Sequence, residues 1–219
     1  ILEAGLCAPS AGGRQGVIFA VCQDREVNKK LGKIKRANSN PHMATATSYV
    51  SKEQPSIADD PNLKNAFYDA PTVITMFAPK NFLFAAEDCA VAAENMMLAA
   101  DALGIGSCYI GDILEQVETH RTLLRLPEYV VPAALLVFGY PTQQQQEREK
   151  PRRRALEHIV HENAYRRMEP AELEAMLADN AGARPYGAWL DAFCKRKYNS
   201  DFSREMSRSM AEYLKPFLP

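Results

Sequence analysis

An excess of charge of one sign is missing from this 219-residue chain: 26 Lys and Arg stand against 27 Asp and Glu, a formal net charge of −1. A chain-wide nucleic-acid surface needs a dominant positive field, so no nucleic-acid partner is expected, and any basic cluster acts locally. No apolar run approaches the ~20 residues of a membrane span, and no signal-peptide pattern occurs, so no membrane partner is expected. Cys-x-x-Cys pairs are absent too. The five cysteines, Cys7, Cys22, Cys89, Cys108 and Cys194, are odd in number and scattered, mostly in apolar runs. Such a set reads as reduced thiols in the cytoplasm. No Gly-rich loop ends in Gly-Lys-Ser/Thr, and no Ser, His and Asp set announces hydrolysis.

Hydrophobic residues, at 47%, are ample for a buried core. Residues 1–8 read as the end of a helix stopped by Pro9. Short apolar runs at 17–22, 71–77, 107–110 and 132–138 read as buried strands. Asp24 is positioned to cap a basic helix to about residue 36. Residues 37–61 lack a period and are expected to form a long loop at the substrate mouth, followed by a short helix at 62–68. The segment 83–103 is the strongest helix: Ala86, Ala90, Ala93, Met97 and Ala100 share one face, and Leu83, Val91 and Leu98 a neighbouring one. Apolar on most sides, it is expected to be buried on most sides. A helix is expected over 112–124, and the rest of the chain is helical. In the last helix Met206, Met210, Tyr213, Leu214 and Phe217 lie on one side. Strands that alternate with helices point, by this pattern alone, to a parallel sheet covered on both faces.

Two loops carry candidate chemistry. In Pro9-Ser10-Ala11-Gly12-Gly13-Arg14-Gln15-Gly16, small residues let the backbone approach a flat ligand, while Ser10, Arg14 and Gln15 supply donors and an acceptor suited to a flavin's pyrimidine edge. The same loop would also serve as an ordinary surface turn. Lys150, Arg152, Arg153 and Arg154 precede a helix start at Ala155, where guanidinium groups and helix dipole would act together on a phosphate. A solvated charged turn is the alternative. Gly104-Ile105-Gly106-Ser107 follows a helix and precedes a strand, the wrong order for a dinucleotide fingerprint. His158 and His161 lie three apart on a helix with no further ligand at a recognised spacing, so no metal is expected. Cys7 and Cys108 are expected to be buried structural thiols. The carboxylates Glu87, Asp88 and Glu94 of the long helix are expected to pair or cap.

Taken in order, these pieces resemble the nitroreductase family of flavin mononucleotide (FMN)-dependent oxidoreductases. The likeness begins at Leu2-Glu3-Ala4 and Ala8-Pro9-Ser10-Ala11-Gly12-Gly13-Arg14-Gln15. It continues through Ala70-Pro71, through Asp88-Cys89-Ala90-Val91-Ala92-Ala93-Glu94-Asn95-Met96-Met97-Leu98-Ala99-Ala100, and through Leu103-Gly104-Ile105-Gly106-Ser107-Cys108-Tyr109-Ile110-Gly111. Gly139-Tyr140-Pro141 and Lys150-Pro151-Arg152 complete it. No single piece is specific, but the ordered set is. The run Lys197-Tyr198-Asn199-Ser200-Asp201-Phe202-Ser203-Arg204-Glu205-Met206 is similar to one branch of the family.

The resemblance implies an α+β sandwich, a central, mostly antiparallel sheet surrounded by helices. It implies residues 1–165 as an FMN-binding part and residues 166–219 as a helical extension of the same domain. It implies a homodimer with FMN at the interface, its core supplied by the Ala-rich helix. The implied activity is hydride transfer from NAD(P)H through the flavin to a small acceptor such as a nitroaromatic or quinone. Pro9, Ser10 and Gln15 would line the flavin, with Arg14 beside them; Ile110 and Gly111 would form the turn near flavin N5; Lys150 and Arg152 would clamp the phosphate. No side chain is expected to be indispensable as acid or base, since solvent can supply protons. Gly13 stands where the family usually has Asn, and Gly16-Val17 where it has Pro and an aromatic. The family's Arg-rich phosphate-clamping segment has no counterpart here; either it lies upstream of Ile1, where the chain opens in mid-helix, or FMN is held weakly. A flavin-binding protein that stores, senses or cleaves flavin without turnover is the alternative, and a helical interaction module a third.

Overall fold

The computed structural model describes residues 1–37, 72–78 and 82–217. Beyond Ala37, the loop expected over 37–61 and the helix expected at 62–68 lie outside these residues. The described chain forms two compact units, residues 1–142 with 201–219, and residues 143–200.

The first unit is built on four strands, β1 (Ile18–Cys22), β2 (Thr72–Ala78), β3 (Gly106–Ile110) and β4 (Val131–Gly139). They lie in the order β1-β2-β4-β3, and every neighbouring pair is antiparallel. The parallel order drawn from the strand–helix alternation is thus incorrect, and the antiparallel sheet implied by the resemblance is what forms. The cause is visible in β4, buried almost throughout. An antiparallel sheet covered on both faces shows the same continuous apolar runs as a parallel one.

Side-chain alternation sorts the sheet into two faces. Ile74, Met76, Ala134, Leu136 and Phe138 face one core, closed by the helix α3 (Phe82–Ala102) through Cys89, Ala92, Ala93, Met96 and Ala100. The short helix α1 (Leu2–Leu6) joins that layer, and Gly5 is the reason it can. A Cβ there would sit 2.8 Å from Met96 Sδ and 3.2 Å from the Phe19 ring. Val73, Leu135, Val137 and Ile110 face the second core, closed by Leu31 of α2 (Arg25–Ala37) and by Ile113. Asp24 caps α2 as expected: its Oδ1 accepts from the N–H groups of Glu26 and Val27.

Two expected elements are shifted. The buried face of α3 runs along Cys89, Ala92, Ala93, Met96 and Ala100, while Ala90 is exposed and Ala86 and Met97 are half-buried. The opposite side of α3 is uncovered, so the helix is not buried on most sides: Phe84 is 55%, Val91 40% and Leu98 61% exposed. The helix expected over 112–124 is broken. A 3-10 turn, Gly111–Leu114, is followed by α4 (Val117–Leu124), because Gln116 takes a left-handed conformation at φ 49°.

In the second unit, α5 (Gln143–Glu147) and α6 (Leu156–Ile159) are short. They are followed by α7 (Pro170–Ala181) and α8 (Tyr186–Lys197). A reciprocal capping box of Glu169 and Glu172 with Pro170 at the first turn starts α7. Along α8, Tyr186, Trp189 and Phe193 stack in sequence at centroid separations of 6.0 and 5.3 Å. The chain then returns to the first unit as α9 (Asp201–Leu214), whose Tyr213 packs with Val117 and Val131. Met210 and Phe217 join that cluster from the side expected of them.

Candidate functional site

The Pro9–Gly16 loop is held by its own residues and by α3. Ser10 Oγ accepts the N–H of Gln15 at 2.8 Å. Asp88 Oδ1 accepts the N–H of Ala11 at 2.9 Å, and Asn95 Nδ2 donates to Ala4 O at 3.1 Å. The carboxylate of Asp88 thus ties this loop to the middle of α3. Three residues of the loop carry positive φ: Gly12 at 61°, Gly13 at 65° and Gln15 at 51°. Glycine adopts this region freely, whereas Gln15 is kept there by its surroundings. The result is a tight turn with the side chains of Arg14 and Gln15 exposed and without a hydrogen-bond partner among the described residues. A Cβ at Gly13 would meet nothing within 4 Å, so the backbone there fronts open space.

Ile110 and Gly111 lie at the end of β3. Ile110 is 5% exposed, pairs with Leu135, and anchors the strand in the second core. Gly111 begins the 3-10 turn, is exposed, and has no atom within 4 Å of where a Cβ would stand. Tyr109, the neighbour of Ile110, lies on the other face of the sheet, where Glu94 and Cys89 of α3 act on it; burial first, then these two, push its phenol up. The middle of α3 thus backs both segments: Asp88 fastens the Pro9–Gly16 loop, and Cys89 and Glu94 adjoin the end of β3. Six of the eight candidate residues, Pro9, Ser10, Arg14, Gln15, Ile110 and Gly111, belong to this one unit.

Lys150 and Arg152 belong to the second unit. Lys150 is exposed and has no partner among the described residues. Arg152 Nη1 lies 3.4 Å from Asp179 Oδ2 in a pair exposed by 86% and 73%, which holds it weakly. Arg153 is exposed, while Arg154 turns inward and donates to the carbonyl of Met176. The helix after them, α6, spans 4 residues from its N-cap Ala155. A single turn has little dipole, so the dipole contribution expected at Ala155 is small.

Three further expectations are corrected. Cys7 and Cys108 are exposed, not buried: Cys7 ends the 5-residue α1, and Cys108 stands on the edge strand β3. His158 and His161 do not share a helix, because α6 ends at Ile159. His161 Nδ1 instead accepts the N–H of Arg166 at 3.1 Å. Sequence reasoning also missed the residues that tie α9 to α4, since partners 89 and 92 positions apart leave no local signal.

A family model described as "Nitroreductase family" matches residues 1–140. The chain belongs to the nitroreductase family. Among its relatives, an FMN reductase [NAD(P)H] of Bacillus subtilis is 28% identical over 216 residues, covering 97% of this chain and 80% of the relative. Nitroreductase A of Vibrio parahaemolyticus shares the nitroreductase fold at a TM-score of 0.68 and 20% identity, over 97% of this chain and 85% of that one. A nitroreductase of Bacteroides fragilis with bound FMN aligns at a TM-score of 0.50 and 25% identity, over 77% of this chain and 84% of that one.

Proposed function

We propose that this nitroreductase-family chain is an FMN-dependent oxidoreductase that takes hydride from NAD(P)H and delivers it to a small acceptor such as a nitroaromatic or quinone. The observation that carries the reading is the Pro9–Gly16 loop: tied down by Asp88, glycine-backed toward open space, and presenting Arg14 and Gln15 with their side chains unspent. The donor set fits a flavin, and relatives carry FMN reductase and FMN-bound nitroreductase in their names. FMN, when bound, supplies the hydride chemistry.

The chain's own residues do the rest. Pro9 and Ser10 shape the loop, and Arg14 and Gln15 donate toward the flavin's pyrimidine edge, where donors stabilise negative charge. Ile110 and Gly111 present backbone to the ring. Lys150 and Arg152 would hold the phosphate, and the exposed contact of Arg152 with Asp179 is weak enough not to prevent it. No side chain is assigned as acid or base. The FMN-binding part runs over residues 1–165, with 166–219 as its helical extension, and a second copy of the chain covers the exposed side of α3. Five free cysteines accord with a cytoplasmic setting. No described helix is long and apolar enough to cross a membrane.

The test is an absorbance spectrum of the purified chain with and without FMN, followed by NADH and then a quinone. Bound-flavin bands that bleach with NADH and return with quinone support the reading. Bands that persist after NADH replace it with a flavin-binding protein without turnover.

A further inference from the structure

The 3-10 turn Gly111–Leu114 is suspended between two anchors. Upstream, Ile110 is fixed by strand pairing with Leu135. Downstream the chain enters α4 through Gln116, whose left-handed conformation interrupts the helix and whose side chain makes no cap. The first N–H groups of any helix need acceptors. Here they come from α9. Gln116 N–H donates to Glu205 Oε1 at 3.1 Å, and Val117 N–H donates to Ser209 Oγ at 3.1 Å. Ser209, fully buried, donates its own hydroxyl hydrogen bond to Glu205 Oε1 at 2.8 Å, so its oxygen both accepts and donates.

Arg208 fixes the acceptor in turn. Its Nε and Nη2 donate to the two oxygens of Glu205, each at 2.8 Å. Its Nη1 and Nη2 grip Glu118 in the first turn of α4 at 2.8 and 3.0 Å. Bidentate guanidinium–carboxylate pairs fix geometry as well as charge. One carboxylate and one hydroxyl, about ninety residues away in sequence, thus stand in for the N-cap that α4 lacks.

We propose that Glu205 and Ser209 are positioning residues that, through this remote cap, hold the Gly111–Val117 path and so set the backbone of Gly111 against the flavin. The flavin half of this rests on the function proposed above; the cap itself does not.

The experiment uses the full chain as wild type and as Glu205→Ala, Glu205→Gln, Ser209→Ala and, as control, Arg204→Met, whose partner Asp201 lies on the same helix. Amide exchange is followed without FMN. FMN affinity and single-turnover reduction by NADH are then measured. Glu205→Ala and Ser209→Ala should each raise exchange at Gln116 and Val117 about tenfold, with β4 unchanged, as loss of a cap predicts. They should also slow flavin reduction several-fold, with kcat/KM for the acceptor, read in steady state, unchanged. Glu205→Gln keeps an acceptor oxygen and should restore most of both effects; Arg204→Met should show neither. Unchanged exchange at Gln116 and Val117 overturns the cap. Raised exchange with undisturbed flavin binding and reduction overturns the positioning role. If the wild type binds no FMN, the proposed function fails together with the positioning role, and exchange alone still decides the cap. Should Glu205→Ala not fold, Ser209→Ala carries the test.

Discussion

Asp88 and Ala11 are 77 residues apart in sequence and joined by a 2.9 Å hydrogen bond, in which the loop N–H donates to the helix carboxylate. This bond links the most regular element of the chain to its most irregular one. A loop of small residues is entropically expensive to hold still, and Asp88 restricts it from a helix that is itself packed on the sheet. Asp88→Ala should therefore weaken FMN binding about tenfold, whereas Asp88→Asn, which retains an acceptor, should weaken it less. Fluorescence titration with FMN checks both; equal affinities for wild type and Asp88→Ala would remove Asp88 from the site.

Gly13 combines positive φ with open space around it. Asn tolerates the left-handed region and β-branched residues do not. Gly13→Asn should cost less than about 1 kcal/mol, and Gly13→Val about 1–2 kcal/mol, in unfolding free energy. Denaturant titration of both variants tests this. A shift in the bound-flavin bands with Gly13→Asn would show that its new amide reaches the ring.

His120 is 3% exposed, and its Nδ1 lies 2.6 Å from the carbonyl of Glu115. Burial lowers its pKa below the ordinary 6.5, against smaller raising effects of the Glu115 carbonyl and Asp112. The unfolded chain therefore binds this proton more readily than the folded one. The associated stability is fully present above about pH 6.5 and is lost as pH falls toward the folded value, by at most about 1.4 kcal/mol per pH unit. His120→Asn should flatten the decline in melting temperature between about pH 7 and 5. Hydrogen bonds from Arg208 lower the carboxyls of Glu118 and Glu205, which moves them away from that window. A decline that persists in His120→Asn would assign it to other groups.

Two buried hydroxyls have no partner among the described residues, Tyr213 Oη and Thr75 Oγ1, each on a residue that is 0% exposed. Leaving such a group unpaired costs about 1–3 kcal/mol. Tyr213→Phe, which keeps the ring under the Arg121 guanidinium at 5.2 Å, and Thr75→Val should each be neutral or stabilising by about 1 kcal/mol. A clear drop in melting temperature for either would mean the hydroxyl has found an acceptor.

Phe84, Val91 and Leu98 recur every seven residues along α3 and are all exposed. If a second copy covers them, Leu98→Glu should give a monomer in analytical ultracentrifugation while wild type sediments as a dimer. A wild-type monomer would leave the stripe without that partner.

Part of the fold and the turn of the candidate loop were legible because their signals are local. Asp24 before a basic helix announced a cap, and the glycines of 12–13 announced a turn. The break at Gln116 was not, since nothing in its neighbourhood forbids a continuous helix; the interruption is stabilised from Glu205 and Ser209. The strand direction was misjudged for a related reason. Apolar runs report burial on both faces, and burial does not encode direction. Cys7 and Cys108 have apolar neighbours, yet a helix end and a sheet edge place both outside the core.

Because α4 borrows its cap from residues 205 and 209, the turn after β3 is unfinished when it first emerges during synthesis. At ordinary translation rates the missing acceptors follow roughly 5 to 20 seconds later. Until then the nascent chain carries a complete Pro9–Gly16 loop but an unbraced Gly111, so the two halves of the candidate site mature at different times, and the later half waits for the helix that closes the chain back onto its own sheet.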